Sequence, residues 1–207
     1  MTPIKAVIFD MGGVFLKYPD PGFLDRIIKF AETNKALGKI LEDFEIGNNW
    51  MGDIGVAIKE ISDEEIRNKV IEGLQVIGSL TSQSVLDQNF VTAVKILREK
   101  GFKTALLTNN GWRNPEKTES LVLEDLSDFD VVVESCKVKM RKPNPEIYLY
   151  TVDLLKLKPE ECVFIDDFEV NIEGAKKIGM PGIQVVLGDS ETAIKDLEKI
   201  TGVTLKA

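Results

Sequence analysis

The sequence predicts a doubly wound α/β fold, with a mostly parallel, Rossmann-like sheet interrupted early by a helical insertion. Short runs of β-branched and aliphatic residues alternate with amphipathic helical stretches from about residue 87 onward. Between the first strand and that alternation lies a long segment whose pattern is helical alone. Several strand runs end in carboxylates, hydroxyls or amides, and in such sheets the carboxyl ends of the strands open onto one crevice.

The first strand is "KAVIFD", an apolar run that ends on Asp10 and is followed at once by Met11, Gly12 and Gly13. A buried strand thus delivers a charge into a tight turn. Residues 17–86 then read as helical, including "PGFLDRIIKFAETNK" and "ISDEEIRNKVIEGL", where Ser62 and Glu65 have capping-box spacing. A structureless connection of this length is uncommon, so residues 17–86 are expected to form a helical cap domain. It leaves the sheet beside Asp10 and can act as a lid. The core domain is then residues 1–16 and 87–207.

In that core, "QNFVTAVKILREKG" places Phe90, Val94 and Leu97 on one helix face and stops at Gly101. The strand "KTALLTN" follows, ending in Thr108 and Asn109, then the strand "DVVVES". "NPEIYLYTVDLLKL" starts a helix with Asn144 as N-cap and Pro145 at the first helical position. The strand "CVFIDD" ends in Asp166 and Asp167. "EVNIEGAKKIG" is a helix ending at Gly179, "GIQVVL" a fifth strand and "SETAIKDLEKI" the last helix.

Composition narrows the chemistry. The 207 residues, 43% of them hydrophobic, suffice for a core of ordinary size with one inserted domain. With 34 acidic against 26 basic side chains and a net charge of −8, neither a nucleic acid nor an anionic membrane is an expected partner. No run has the length of a membrane span and no leader pattern opens the chain, so a soluble, cytoplasmic protein is expected. Cys136 and Cys162 are the only cysteines, too few for a disulfide framework or a thiolate metal site. Histidine is absent, which excludes His-based triads and His-ligated zinc. A homodimer is compatible with the sequence, which does not specify one.

The strand-end residues Asp10, Thr108, Asn109, Asp166 and Asp167, with Lys142 from "MRKPNPEIY", share the crevice if the sheet forms as expected. Singly, each has a plain structural reading as turn former, helix cap, loop acid or solvated lysine. Together they suit a small phosphate ester and Mg2+, a hard cation that needs oxygen ligands and neither imidazole nor thiolate. A carboxylate there can attack phosphorus while Thr108, Asn109 and Lys142 share the phosphoryl charge. Trp50 and Trp112 read as core or lid packing, and "SDEEI" as a solvated helix start.

The motifs "FDMGGV", "LLTNN", "MRKPNPEIY" and "FIDDFEVNIEGAKKIGM" occur in the order found in the haloacid dehalogenase superfamily, which the chain resembles over essentially its whole length. "ESCKVKMRKPNPEIY" and "DSETAIKDLEKITGV" are similar to the phosphatase-like N-terminal domains of soluble epoxide hydrolases and of acyl-CoA dehydrogenase fusion proteins. The resemblance implies Asp10 as nucleophile and metal ligand, with the Gly12 carbonyl and Asp167 as further ligands of Mg2+. It implies Thr108 and Asn109 as phosphate binders, Lys142 steadying nucleophile and phosphate, and Asp166 and Asn171 in a supporting shell. One departure stands out: phosphatases of this superfamily usually carry a second Asp two residues after the nucleophile, and here that position is Gly12. Three readings follow: a phosphatase, slowed by the missing proton donor; a non-catalytic phosphate-binding or interaction module; and, less favoured by the acidic pair, a dehalogenase-type hydrolase.

Overall fold

The computed structural model describes residues 2–17, 35–59, 61–65, 67–68, 71 and 85–206. Its main sheet has five parallel strands, β1 (Ala6–Phe9), β4 (Lys103–Thr108), β5 (Val131–Glu134), β6 (Cys162–Asp166) and β7 (Gly182–Gln184), in the order β5-β4-β1-β6-β7. The expected strands all form, and β1 sits at the centre. Its side chains are buried on both faces, as a strand covered by helices on either side requires.

The alternation of the pleat divides the core in two. Val7 and Phe9 of β1 face one layer with Val163 and Ile165, against α3 (Gln88–Glu99) and α7 (Ser190–Thr201). Ala6 and Ile8 face the other with Ala105, Leu107 and Phe164, against α5 (Pro145–Leu155) and α6 (Glu169–Lys177). Phe90, Val94 and Leu97 lie in the first layer, the face that their spacing foretells. Phe9 and Phe15 meet edge-on there, with ring centroids 5.2 Å apart. Asp87 caps α3 by accepting the Asn89 amide, and Gly101 takes a left-handed conformation (φ 85°) just past its end.

Three expectations are corrected. The ends of the insertion are not helical: β2 (Leu16–Lys17) pairs antiparallel with β3 (Val85–Leu86), so a short ribbon closes its base. Near Ser62, helical residues begin at Glu64 and the Asp63 carbonyl accepts the Arg67 amide at 2.9 Å. The cap thus falls on Asp63, itself a good capping residue, one position later than the Ser62 spacing implies. Asn144 does occupy the N-cap position of α5, with Pro145 following, but its side chain makes no capping bond. The stretch 21–34 lies outside the described residues, as does most of 60–84. Of the insertion, α1 (Lys35–Glu45) and α2 (Met51–Lys59) are described. Phe44, Ile54 and Ile58 from them cluster with Leu121 of the core.

Candidate active site

Asp10 extends β1 by one residue, its amide donating to the Ile165 carbonyl at 2.8 Å. The chain then turns tightly, with Leu16 N on Met11 O (2.8 Å) and Gly13 N on Leu16 O (2.9 Å). Gly13 has a left-handed backbone (φ 70°), and a Cβ there would collide with the Asp167 carboxylate. The turn therefore needs glycine at 13 for conformation and for space.

Lys142 is the electrostatic hub. Its side chain is 1% exposed, and Nζ lies 2.8 Å from Asp10 Oδ1 and 2.7 Å from Asp166 Oδ2 while also donating to Leu107 O at 3.1 Å. Those contacts use all the hydrogens an ammonium carries. The backbone of Lys142 is clamped to the end of β4: its amide donates to Asn109 Oδ1 (2.9 Å), and Asn109 Nδ2 donates to its carbonyl (3.1 Å). Asp166 is saturated, accepting from Phe168 N (2.8 Å) and from Asn171 Nδ2 (3.0 and 3.1 Å) besides Lys142. Asn171 is fixed in turn by Tyr148, whose hydroxyl donates to the Asn171 carbonyl at 2.8 Å.

Asp167 differs. It is 8% exposed, yet neither carboxylate oxygen has a hydrogen-bond partner. Asp10, Asp166 and Asp167 each offer an oxygen within 4.8 Å of the others. Burial, then Asp10 and Asp166, push the Asp167 carboxyl up to about 9. Burial pushes Asp10 up to about 7, with Lys142 opposing and Asp166 adding to the rise. Burial pulls Lys142 down, but Asp10 and Asp166 outweigh it and hold the ammonium above its ordinary value. Three carboxylates against one ammonium leave an excess of two negative charges when all are ionised. Buried, all-oxygen ligand atoms with that charge, those of Asp167 without a partner, fit a divalent hard cation.

A stability consequence follows for the chelated protein. Both carboxyls have native values above their ordinary value of 3.8, so the native state binds more protons than the unfolded one between pH 3.8 and about 9. Stability without metal should therefore fall as pH rises through that window. Unfolding midpoints in chelator from pH 5 to pH 9 test this, and Asp167→Asn should flatten the slope. A midpoint that climbs with pH would contradict it.

Thr108, buried at the end of β4, and Asn109 beside it complete the expected set. The structure thus brings Asp10, Thr108, Asn109, Lys142, Asp166, Asp167 and Asn171 to one end of the sheet, beside the Gly12 turn. Sequence reasoning missed Asn110, whose Nδ2 donates to buried Glu134 (2.6 Å) and whose amide donates to Ser135 (2.9 Å), fixing the end of β4 against β5. The doubled asparagine of "LLTNN" was the available signal. It also missed Glu45 and Arg141, which pair at 2.6 Å. Around them the described insertion presses on the strand ends: Phe44 covers Gly111, Met51 N donates to Trp112 O (2.8 Å), and Lys117 donates to the Gly47 carbonyl (2.9 Å). Trp50 and Trp112 form a backbone bridge there. Cys136 and Cys162 are free and buried, and burial pushes both thiols up to about 12. Among the described residues, no helix is long and apolar enough to cross a membrane.

The sequence profile of the haloacid dehalogenase-like hydrolases matches residues 4–179. Bifunctional epoxide hydrolase 2 of Sus scrofa is 39% identical over 98% of this chain and 40% of its own length. Acyl-CoA dehydrogenase family member 10 of Mus musculus is 34% identical over 97% of this chain and 19% of its own. The chain thus spans well under half of these relatives. A phosphorylated carbohydrates phosphatase of Thermotoga maritima is 28% identical over 89% of this chain and 86% of its own. Among solved structures, a haloacid dehalogenase family enzyme from Bacteroides thetaiotaomicron, in complex with magnesium and inorganic phosphate, superposes with a TM-score of 0.61 at 24% identity, covering 90% of this chain and 96% of that one. That likeness is one of fold.

Proposed function

Because the chain belongs to the haloacid dehalogenase-like hydrolases, we propose that it hydrolyses a small phosphate ester with Asp10 as nucleophile and Mg2+ as cofactor. The observation that carries this reading is the buried Asp10–Lys142–Asp166 chain beside the unpartnered Asp167 carboxylate. Relatives named as phosphatases support the reaction class.

In the proposed reaction an Asp10 oxygen bonds to phosphorus as the bond to the ester oxygen breaks, and water then cleaves the aspartyl phosphate to release phosphate and restore Asp10. Lys142 holds Asp10 by one Oδ and places positive charge beside the phosphoryl group, while Asp166, steadied by Asn171, keeps the ammonium in position. The Thr108 hydroxyl and Asn109 amide are the donors for phosphoryl oxygens. Asp10, Asp167 and the Gly12 carbonyl would hold Mg2+, which when bound supplies the positive charge that this acidic site lacks. Residues 17–86 serve as a cap domain over the strand ends, a role supported by the packing of Phe44, Glu45 and Met51 against the core.

A panel of phosphate esters, assayed with and without magnesium, tests the reading. Calorimetry with Asp167→Asn tests the metal ligands. Mg2+ affinity should fall by more than ~100-fold, beyond the ~10–100-fold cost of losing an outer-shell partner. Unchanged affinity would sink the assignment. The second reading, a phosphate-binding module without turnover, is favoured by one observation: Gly12 offers no proton donor beside Asp10.

A further inference from the structure

The Asn109 side chain has no hydrogen to spare in the ligand-free protein. One Nδ2 hydrogen closes the clamp on the Lys142 carbonyl and the other goes to Glu45 Oε2 at 3.2 Å, and a side-chain amide carries just that pair. The same Glu45 oxygen accepts Arg141 Nε at 2.6 Å. A single anionic oxygen from the end of α1 therefore sits where an amide and a guanidinium converge, beside Lys142. The bond to Arg141 uses only the inner nitrogen of a fork suited to bidentate anion recognition.

The pair is neither surface decoration nor sealed core, with Arg141 30% and Glu45 25% exposed. Burial pushes the Glu45 carboxyl up from its ordinary value, with Arg141 opposing. A phosphoryl oxygen cannot take the Asn109 hydrogen while Glu45 holds it, and two anions placed together there would repel. Displacement of one by the other is the remaining course.

We propose that Asn109 and Arg141 form an anion subsite which Glu45 fills in the ligand-free protein, and that an anionic oxygen of the substrate takes this subsite and releases α1 from the strand ends. The proposal rests on the phosphatase reading for the kind of ligand that arrives. Its chemistry is an anionic oxygen, with two sources: the phosphoryl group, or a second acidic group carried by the ester.

The test is binding without turnover, in magnesium buffer, by calorimetry on wild type, Glu45→Gln, Glu45→Ala and Arg141→Met. The probes are inorganic phosphate and two phosphonates with non-hydrolysable C–P bonds, phenylphosphonate and 4-carboxyphenylphosphonate. If the phosphoryl group is the source, both Glu45 variants bind all three probes about 10- to 100-fold more tightly than wild type. If a second acidic group is the source, only the carboxylated probe gains, and Arg141→Met weakens that probe alone. In wild type, amide exchange over residues 35–45 should rise on saturation with the probe that gains. No tightening in either Glu45 variant for any probe, or unchanged exchange in α1, overturns the proposal. Failure of the nucleophile assignment is separable: it would show as full turnover by Asp10→Asn, which these binding measurements do not involve.

Discussion

Asp10→Asn is expected to lower kcat/KM for a phosphate ester by more than ~10⁴-fold, since loss of a nucleophile removes the covalent route entirely. The substitution is nearly isosteric and keeps a group that can accept a hydrogen bond from Lys142. That lysine retains its 2.7 Å contact with Asp166, so it is not left as an unpaired buried charge. The excess negative charge of the site falls by one, and burial already disfavours the ionised Asp10. In chelator at neutral pH the variant should therefore be as stable as wild type or more so, while its activity collapses. A residue with a purely structural role would lose stability and activity together. Steady-state rates and urea midpoints on both proteins separate the cases; turnover by Asp10→Asn within a few-fold of wild type would remove Asp10 from the chemistry.

The residues of this site are legible because each ends, or closely follows, a locally recognisable element. Asp10, Thr108 and Asp166 cap apolar runs that form adjacent parallel strands, and Lys142 precedes a helix start marked by Asn144 and Pro145. Their convergence follows from the topology of a doubly wound sheet. What could not be read depends on contacts across the chain. Glu45 in "LEDFEIG" has the pattern of a solvated helix end, and only folding brings it to Arg141. The ribbon of β2 and β3 is too short to show a period, and its strands lie at opposite ends of the insertion. Residue type and spacing alone leave Asp166 and Asp167 alike, and only the motif resemblance tells them apart. Their difference arises because Phe168 N and Asn171 satisfy the first, while the second faces the side of Gly13 and finds no donor.

Gly12→Asp should raise kcat/KM for alkyl phosphates by ~10² to 10⁴, the range typical of a positioned general acid or base, and for aryl phosphates by much less. The asymmetry comes from the leaving group: an aryl oxide departs without a proton, whereas an alkoxide needs one from a nearby acid. In the proposed reaction Lys142, Thr108 and Asn109 act on the phosphoryl group and do not provide it. The backbone can accept the change, because the left-handed glycine of the turn is Gly13, and Gly12 is not among the positive-φ positions. A carboxyl at 12, on the half-buried turn that follows Asp10, would have acidic neighbours that disfavour its ionisation. Its proton would be retained nearer neutral pH, where a general acid is useful. The same group, once ionised, can activate water against the aspartyl phosphate, so the covalent intermediate should persist in wild type and become short-lived in the variant. Measuring alkyl and aryl esters on both proteins, with rapid-quench mass detection of the phosphorylated chain, checks each part. Equal acceleration of the two ester classes would assign the gain to something other than proton transfer. A wild type that binds phosphate and magnesium yet turns over neither ester would replace the hydrolase with the binding module.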